Sequence, residues 1–204
     1  MNTFKVQITG QNAIAIAITA VVSIITLALL YAGLPVFGPI NDLTNALNGL
    51  LSALLVWQFQ ALLRQHAPRT AMLYLLVAWA GAAAIIGNSV LVAFGQMGWM
   101  TGGMYTAIGF GLQGIWLLAV NRLLQQQPFL TSGIVRLGTI AAIAMLFGLL
   151  AGPMLVSGVN FSQGPLVWIS YTGAGTGWLL YPVWCWLVGQ RLSDSSVEHH
   201  ALAQ

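Results

Sequence analysis

Four long stretches of this chain, 6–41, 43–63, 70–121 and 137–190, contain no Asp, Glu, Lys or Arg. A soluble domain devotes about a quarter of its residues to charge. Here six basic and three acidic residues serve 204, and 58% of the chain is hydrophobic. So few charges cannot solvate the surface of a domain this size, and lipid is the expected solvent for most of it. A helix needs roughly 20 apolar residues to cross the hydrocarbon core. The first two runs hold one such helix each, and the last two are long enough for two each.

Both longer runs carry a break near the middle. The segments 95–103 and 157–165 mix glycine or proline with polar side chains, which is turn composition. The predicted fold is all-α, with six transmembrane helices in one bundle at about 12–33, 43–63, 71–94, 103–122, 136–156 and 167–190. Barrel strands would alternate apolar and polar residues, whereas 13–18 and 73–86 are apolar on both parities. Residues 1–191 form the transmembrane domain, and 192–204 a short polar tail expected to be disordered.

Orientation follows from the basic residues. Lys5 precedes span 1, Arg64 and Arg69 separate spans 2 and 3, Arg122 and Arg136 separate spans 4 and 5, and Arg191 follows span 6. All lie on one side, which the positive-inside rule makes the cytoplasm, giving N-in/C-in in a cell (inner) membrane. Asp42 is then the only charge outside. The same scatter argues against nucleic acid as a partner despite the net charge of +3. The apolar stretch from Ala13 to Leu34 exceeds the h-region of a signal peptide, so span 1 is expected to be retained.

Many membrane chemistries lack their residues. No span contains a histidine or a lysine, which leaves no ligand for bis-histidine haem and no site for a retinal Schiff base. No charged residue occupies mid-helix, so ion-coupled transport and voltage sensing are disfavoured. Cys185, the single cysteine, supports neither an intrachain disulfide nor a cysteine zinc site. Apart from His66, the cytoplasmic metal-capable residues (Asp194, Glu198, His199 and His200) lie on the tail. No cofactor, metal site or catalytic residue is assigned. Asn160-Phe161-Ser162 is a glycosylation sequon only in a eukaryotic secretory route.

The polar residues inside the spans are the candidate site. Asn41, Asn45, Asn48 and Ser52 recur at i, i+4, i+7 and i+11, one stripe of span 2, with Asp42 beside its outer end. Asn88 in span 3, Gln113 in span 4 and Thr172 and Thr176 in span 6 lie at similar depths. With these faces inward, Asp42, Asn45, Asn48, Ser52, Asn88, Gln113, Thr172 and Thr176 would line an outward-facing polar pocket. The alternative is interhelical hydrogen bonding that only ties the bundle together, and the sequence leaves both open.

Small residues mark close helix contacts: Gly148 and Gly152, Gly173 and Gly177, the row Gly103, Ala107 and Gly111, and the pair Ala83 and Gly87. Pro153 and Pro182 invite kinks in spans 5 and 6. Spans 2, 4 and 6 each close with a tryptophan two turns before an arginine (Trp57 and Arg64, Trp116 and Arg122, Trp184 and Arg191). Three repeated hairpins would account for this, and so would the interfacial preference of both residue types.

Gly38-Pro39-Ile40-Asn41-Asp42, Gly114-Ile115-Trp116-Leu117-Leu118 and Tyr181-Pro182-Val183-Trp184 give the chain an order of features that resembles bacterial six-helix integral membrane proteins of unknown function. The resemblance implies fold and location and transfers no site. The expected partner is the lipid bilayer. The leading functional expectation is binding or passage of a neutral or lipophilic small molecule through the pocket. An accessory or assembly subunit, docking a partner or a second copy by its small-residue faces, is the alternative, and an intramembrane enzyme comes last.

Overall fold

The computed structural model describes residues 3–66, 68–126, 130–157 and 165–201, and every element among them is helical. The order is α1 (Thr3–Tyr31), α2 (Phe37–His66), α3 (Pro68–Ala93), α4 (Trp99–Leu124), α5 (Ser132–Leu146), a 3₁₀ turn (Phe147–Leu150), α6 (Ala151–Ser157) and α7 (Pro165–Ala201). Five segments among the described residues are long and apolar enough to cross a membrane: Val6–Tyr31, Phe37–Gln65, Pro68–Ala93, Trp99–Leu124 and Ser132–Val156. The last joins α5, the 3₁₀ turn and α6. The α7 helix, at 37 residues, is longer than any of them. Its tryptophans, tyrosines, glycines and threonines interrupt its aliphatic runs.

Each of α1 to α5 packs against the next, α5 packs on α7, and the ring closes with α1 against α7. Two short turns show how the sequence forces reversal. Gly33 (φ 91°) and Gly95 (φ 69°) end α1 and α3 in the left-handed region that favours glycine. There Leu34 N donates to Leu29 O at 3.2 Å and Gln96 N to Leu91 O at 2.8 Å. The second predicted break, 157–165, lies largely outside the described residues.

Span 5 is not one uninterrupted helix. Pro153 has no N–H for the Leu149 carbonyl, and the backbone over Phe147–Leu150 tightens to 3₁₀ geometry. That turn brings Gly148 against the Ala107 carbonyl of α4, with no room for a Cβ. At the other end of the chain, α7 continues to Ala201, so the helix carries on through residues expected to be a disordered tail.

Much of the outer surface is apolar: Ile18, Val21 and Ile25 on α1, Leu73 and Leu76 on α3, and Leu179 and Val183 on α7 are exposed. The core fills the arginine-bearing half of the ring, where Leu55, Trp116, Leu117, Trp184 and Cys185 are at most 1% exposed. The three tryptophans of the apparent repeat are not equivalent. Trp116 and Trp184 are buried, whereas Trp57 is exposed and stacks on Trp79 with centroids 5.7 Å apart.

Candidate functional site

The asparagine stripe of α2 faces α1 and is bound to it. Asn41 Nδ2 donates to Ser23 Oγ (2.9 Å), Ser23 Oγ donates to Asn45 Oδ1 (2.9 Å), and Asn45 Nδ2 donates back to Asn41 Oδ1 (3.2 Å). This cycle leaves few free polar atoms, as an apolar surround demands. Asn48 pairs with Thr19, and turning its amide nitrogen toward α1 also lets it donate to Ile16 O at 3.2 Å. Further along, Asn12 Nδ2 donates to Gln58 Oε1 (3.1 Å) and Leu51 O (3.0 Å). The partners Thr19, Ser23 and Thr26 are themselves spaced i, i+4, i+7, a facing stripe that the sequence reading did not pick out.

Asn88 is also engaged. Its Nδ2 donates to Ala84 O (2.6 Å), and its Oδ1 accepts from Thr106 Oγ1 of α4 (3.0 Å). Ties recur at the arginine-bearing end. Gln60 Nε2 donates to Ala71 O (3.1 Å), and Asn121 donates to Val135 O (2.6 Å) while accepting from Trp184 Nε1 (3.2 Å).

These ties do not fill the interior. At the end of the bundle bearing Asp42, a cavity of about 190 Å³ opens between α2, α3, α4 and α7. Asn41, Asp42 and Asn45 line one side, and Asn88, Ser89 and Thr106 another. Trp99, Phe110, Tyr171 and Trp178 supply an aromatic wall, and Gly102, Gly103 and Gly175 supply the room. Asp42 is half-buried at this lining, with every arginine at the opposite end of the bundle.

A second void, about 10 Å³, lies deeper and is lined by Asn48, Ser52, Gln113 and Tyr181 among apolar neighbours. Tyr181 Oη donates to Ser52 Oγ over a long 3.4 Å. Beyond it the buried layer of Leu55, Trp116 and Trp184 closes the bundle toward the arginines.

Six of the eight residues singled out in the sequence therefore line one of two neighbouring voids, Asp42, Asn45 and Asn88 the larger and Asn48, Ser52 and Gln113 the smaller. Thr172 and Thr176 do not join them. Both are exposed, and their hydroxyls donate to carbonyls of their own helix, Trp168 O at 2.5 Å and Thr172 O at 2.7 Å. The aromatic wall was missed because a tryptophan or phenylalanine in an apolar run carries no mark of facing a void rather than lipid.

A ring of long apolar helices with an apolar exterior and polar groups turned inward is the architecture of a multi-pass membrane protein. No family model, no curated protein and no solved structure matches the chain.

Proposed function

We propose that this protein spans the cell membrane six times, N-in/C-in, and binds a neutral or lipophilic small molecule in the cavity at its Asp42 end, which faces outward. The observation that carries the reading is the cavity of about 190 Å³ backed by the Leu55, Trp116 and Trp184 layer. A cavity of about 150 Å³ is enough to admit benzene. Aromatic and aliphatic side chains together with glycines make up most of the lining, and polar groups the rest, as small-molecule sites generally are. The side holding the arginines is the cytoplasm, because basic residues are retained there.

Gly175 provides the test. It lines the cavity, and a Cβ added there meets nothing within 4 Å among the described residues. Gly175→Phe should fill the void without disturbing the packing. The expected result is that benzyl alcohol raises the melting temperature of the wild type, that benzoate does not, and that Gly175→Phe abolishes the response while folding normally. An equal response from the filled variant would sink the proposal.

The accessory-subunit reading keeps one observation. Ala83 and Gly87 are exposed on α3, and a Cβ at Gly87 meets nothing within 4 Å among the described residues. Most of the other small-residue positions are spent on contacts within the chain. Native mass spectrometry in mild detergent showing a dimer that Gly87→Leu dissociates would favour it.

A further inference from the structure

The smaller void contains an unanswered amide. Gln113 is 2% exposed, and neither Nε2 nor Oε1 has a hydrogen-bond partner among the described residues. Gln60 also leaves its Oε1 unpartnered but reaches α3 through Nε2, whereas Gln113 makes no bond through either atom. A buried polar group without partners costs more than an apolar side chain of the same shape in its place. Gln113 ties no helices together, so structural glue does not account for it.

Three further features define what would answer that amide. The void has room for about one water molecule. No charged side chain among the described residues lines it, so an ion there would be desolvated without a counter-charge. Phe110 and Trp178 line both voids.

We propose that Gln113, with Ser52 and Tyr181, forms an inner subsite for a neutral group that both donates and accepts hydrogen bonds, a hydroxyl or carboxamide. Phe110 and Trp178 act as the partition it passes. In this conformation a single water fits the subsite. When the rings part, the polar end of a molecule seated in the larger cavity displaces that water, its apolar body staying against the aromatic wall. The layer of Leu55, Trp116 and Trp184 below makes the route a dead end. This assignment rests on the larger cavity being a binding site open to the outside.

Cysteine accessibility in proteoliposomes separates the two claims. The native thiol, Cys185, is buried and is removed first as Cys185→Ala. Thr106→Cys then reports the larger cavity and Gln113→Cys the inner subsite. Methyl methanethiosulfonate serves as the neutral probe and its trimethylammonium-ethyl analogue as the cation, with modification read by intact mass. Thr106→Cys should react with both. Gln113→Cys should react with the neutral probe alone, and adding Phe110→Ala should raise that rate roughly tenfold by shifting the partition toward its open state.

An unreactive Thr106→Cys would defeat the outer cavity itself. A reactive Thr106→Cys beside an unreactive Gln113→Cys would leave the outer cavity standing and remove the subsite. Equal reaction of Gln113→Cys with the cation, or a rate indifferent to Phe110→Ala, overturns the neutral, gated site. Gln113→Leu gives an independent readout: its melting temperature should equal or exceed that of the wild type. A fall would make Gln113 a structural tie and end the proposal.

Discussion

The same residue type does different work depending on what stands opposite it. Asn121 is fully engaged: it donates to Val135 O and Thr139 Oγ1 and accepts from Trp184 Nε1, joining α4, α5 and α7. Gln113, two turns away on α4, is bonded to nothing among the described residues. Interhelical hydrogen bonds in membrane bundles average about 0.6 kcal/mol each. Asn121→Leu, which forfeits three and leaves the Trp184 N–H buried and unpaired, should therefore destabilise by about 2 kcal/mol. Reversible unfolding in mixed detergent measures this, and a loss close to zero would show that the three bonds contribute nothing net.

Between helices, glycine decides how closely backbones approach. Gly148 and Gly152 look alike in sequence, yet the structure uses only the first. A Cβ at Gly148 would collide with the Ala107 carbonyl, which is backbone and cannot rotate away, whereas one at Gly152 meets nothing within 4 Å among the described residues. The 3₁₀ turn that the Pro153 break allows is what carries Gly148 into that contact. Gly148→Ala should prise the 3₁₀ turn from α4 and cost about 2 kcal/mol or more. Gly152→Ala should be neutral, or stabilising by up to about 1 kcal/mol through helix propensity. Paired thermal melts check this, and similar shifts from the two variants would contradict the assigned contact. Gly177 behaves like Gly148: a Cβ there would lie 2.7 Å from Met145 N of α5.

For the molecule as a whole, closure of the ring is what creates an interior. Lipid is as apolar as leucine, so helices gain little from hydrophobic burial against one another, and close packing with polar ties must hold them. The ring is sealed where α1 meets α7: a Cβ on Gly10 would lie 2.9 Å from Gly189 O, and one on Gly189 would lie 2.8 Å from Gly10 O. Orientation belongs to this scale too. A membrane-impermeant maleimide added outside intact cells should label Ser162→Cys and not Gln126→Cys, both in a Cys185→Ala background. The reverse pattern would turn the Asp42 end toward the cytoplasm.

The sequence by itself determined the helices, because charge-free length and turn composition are local properties. Arg64 and Arg69 bracketed one turn, Gly95 marked another, and Asn41, Asn45 and Asn48 were legible as one face of α2. It did not determine what that face meets. The stripe proved to be bonded largely to Thr19, Ser23 and Thr26, and Thr172 and Thr176, at the same expected depth, turned to the exposed side of α7. Depth along a helix is set by counting residues, but rotation about its axis is set by its neighbours. Only the closed ring, with its glycine contacts and its interrupted fifth span, left two voids unfilled and placed the unpaired amide of Gln113 in the deeper one.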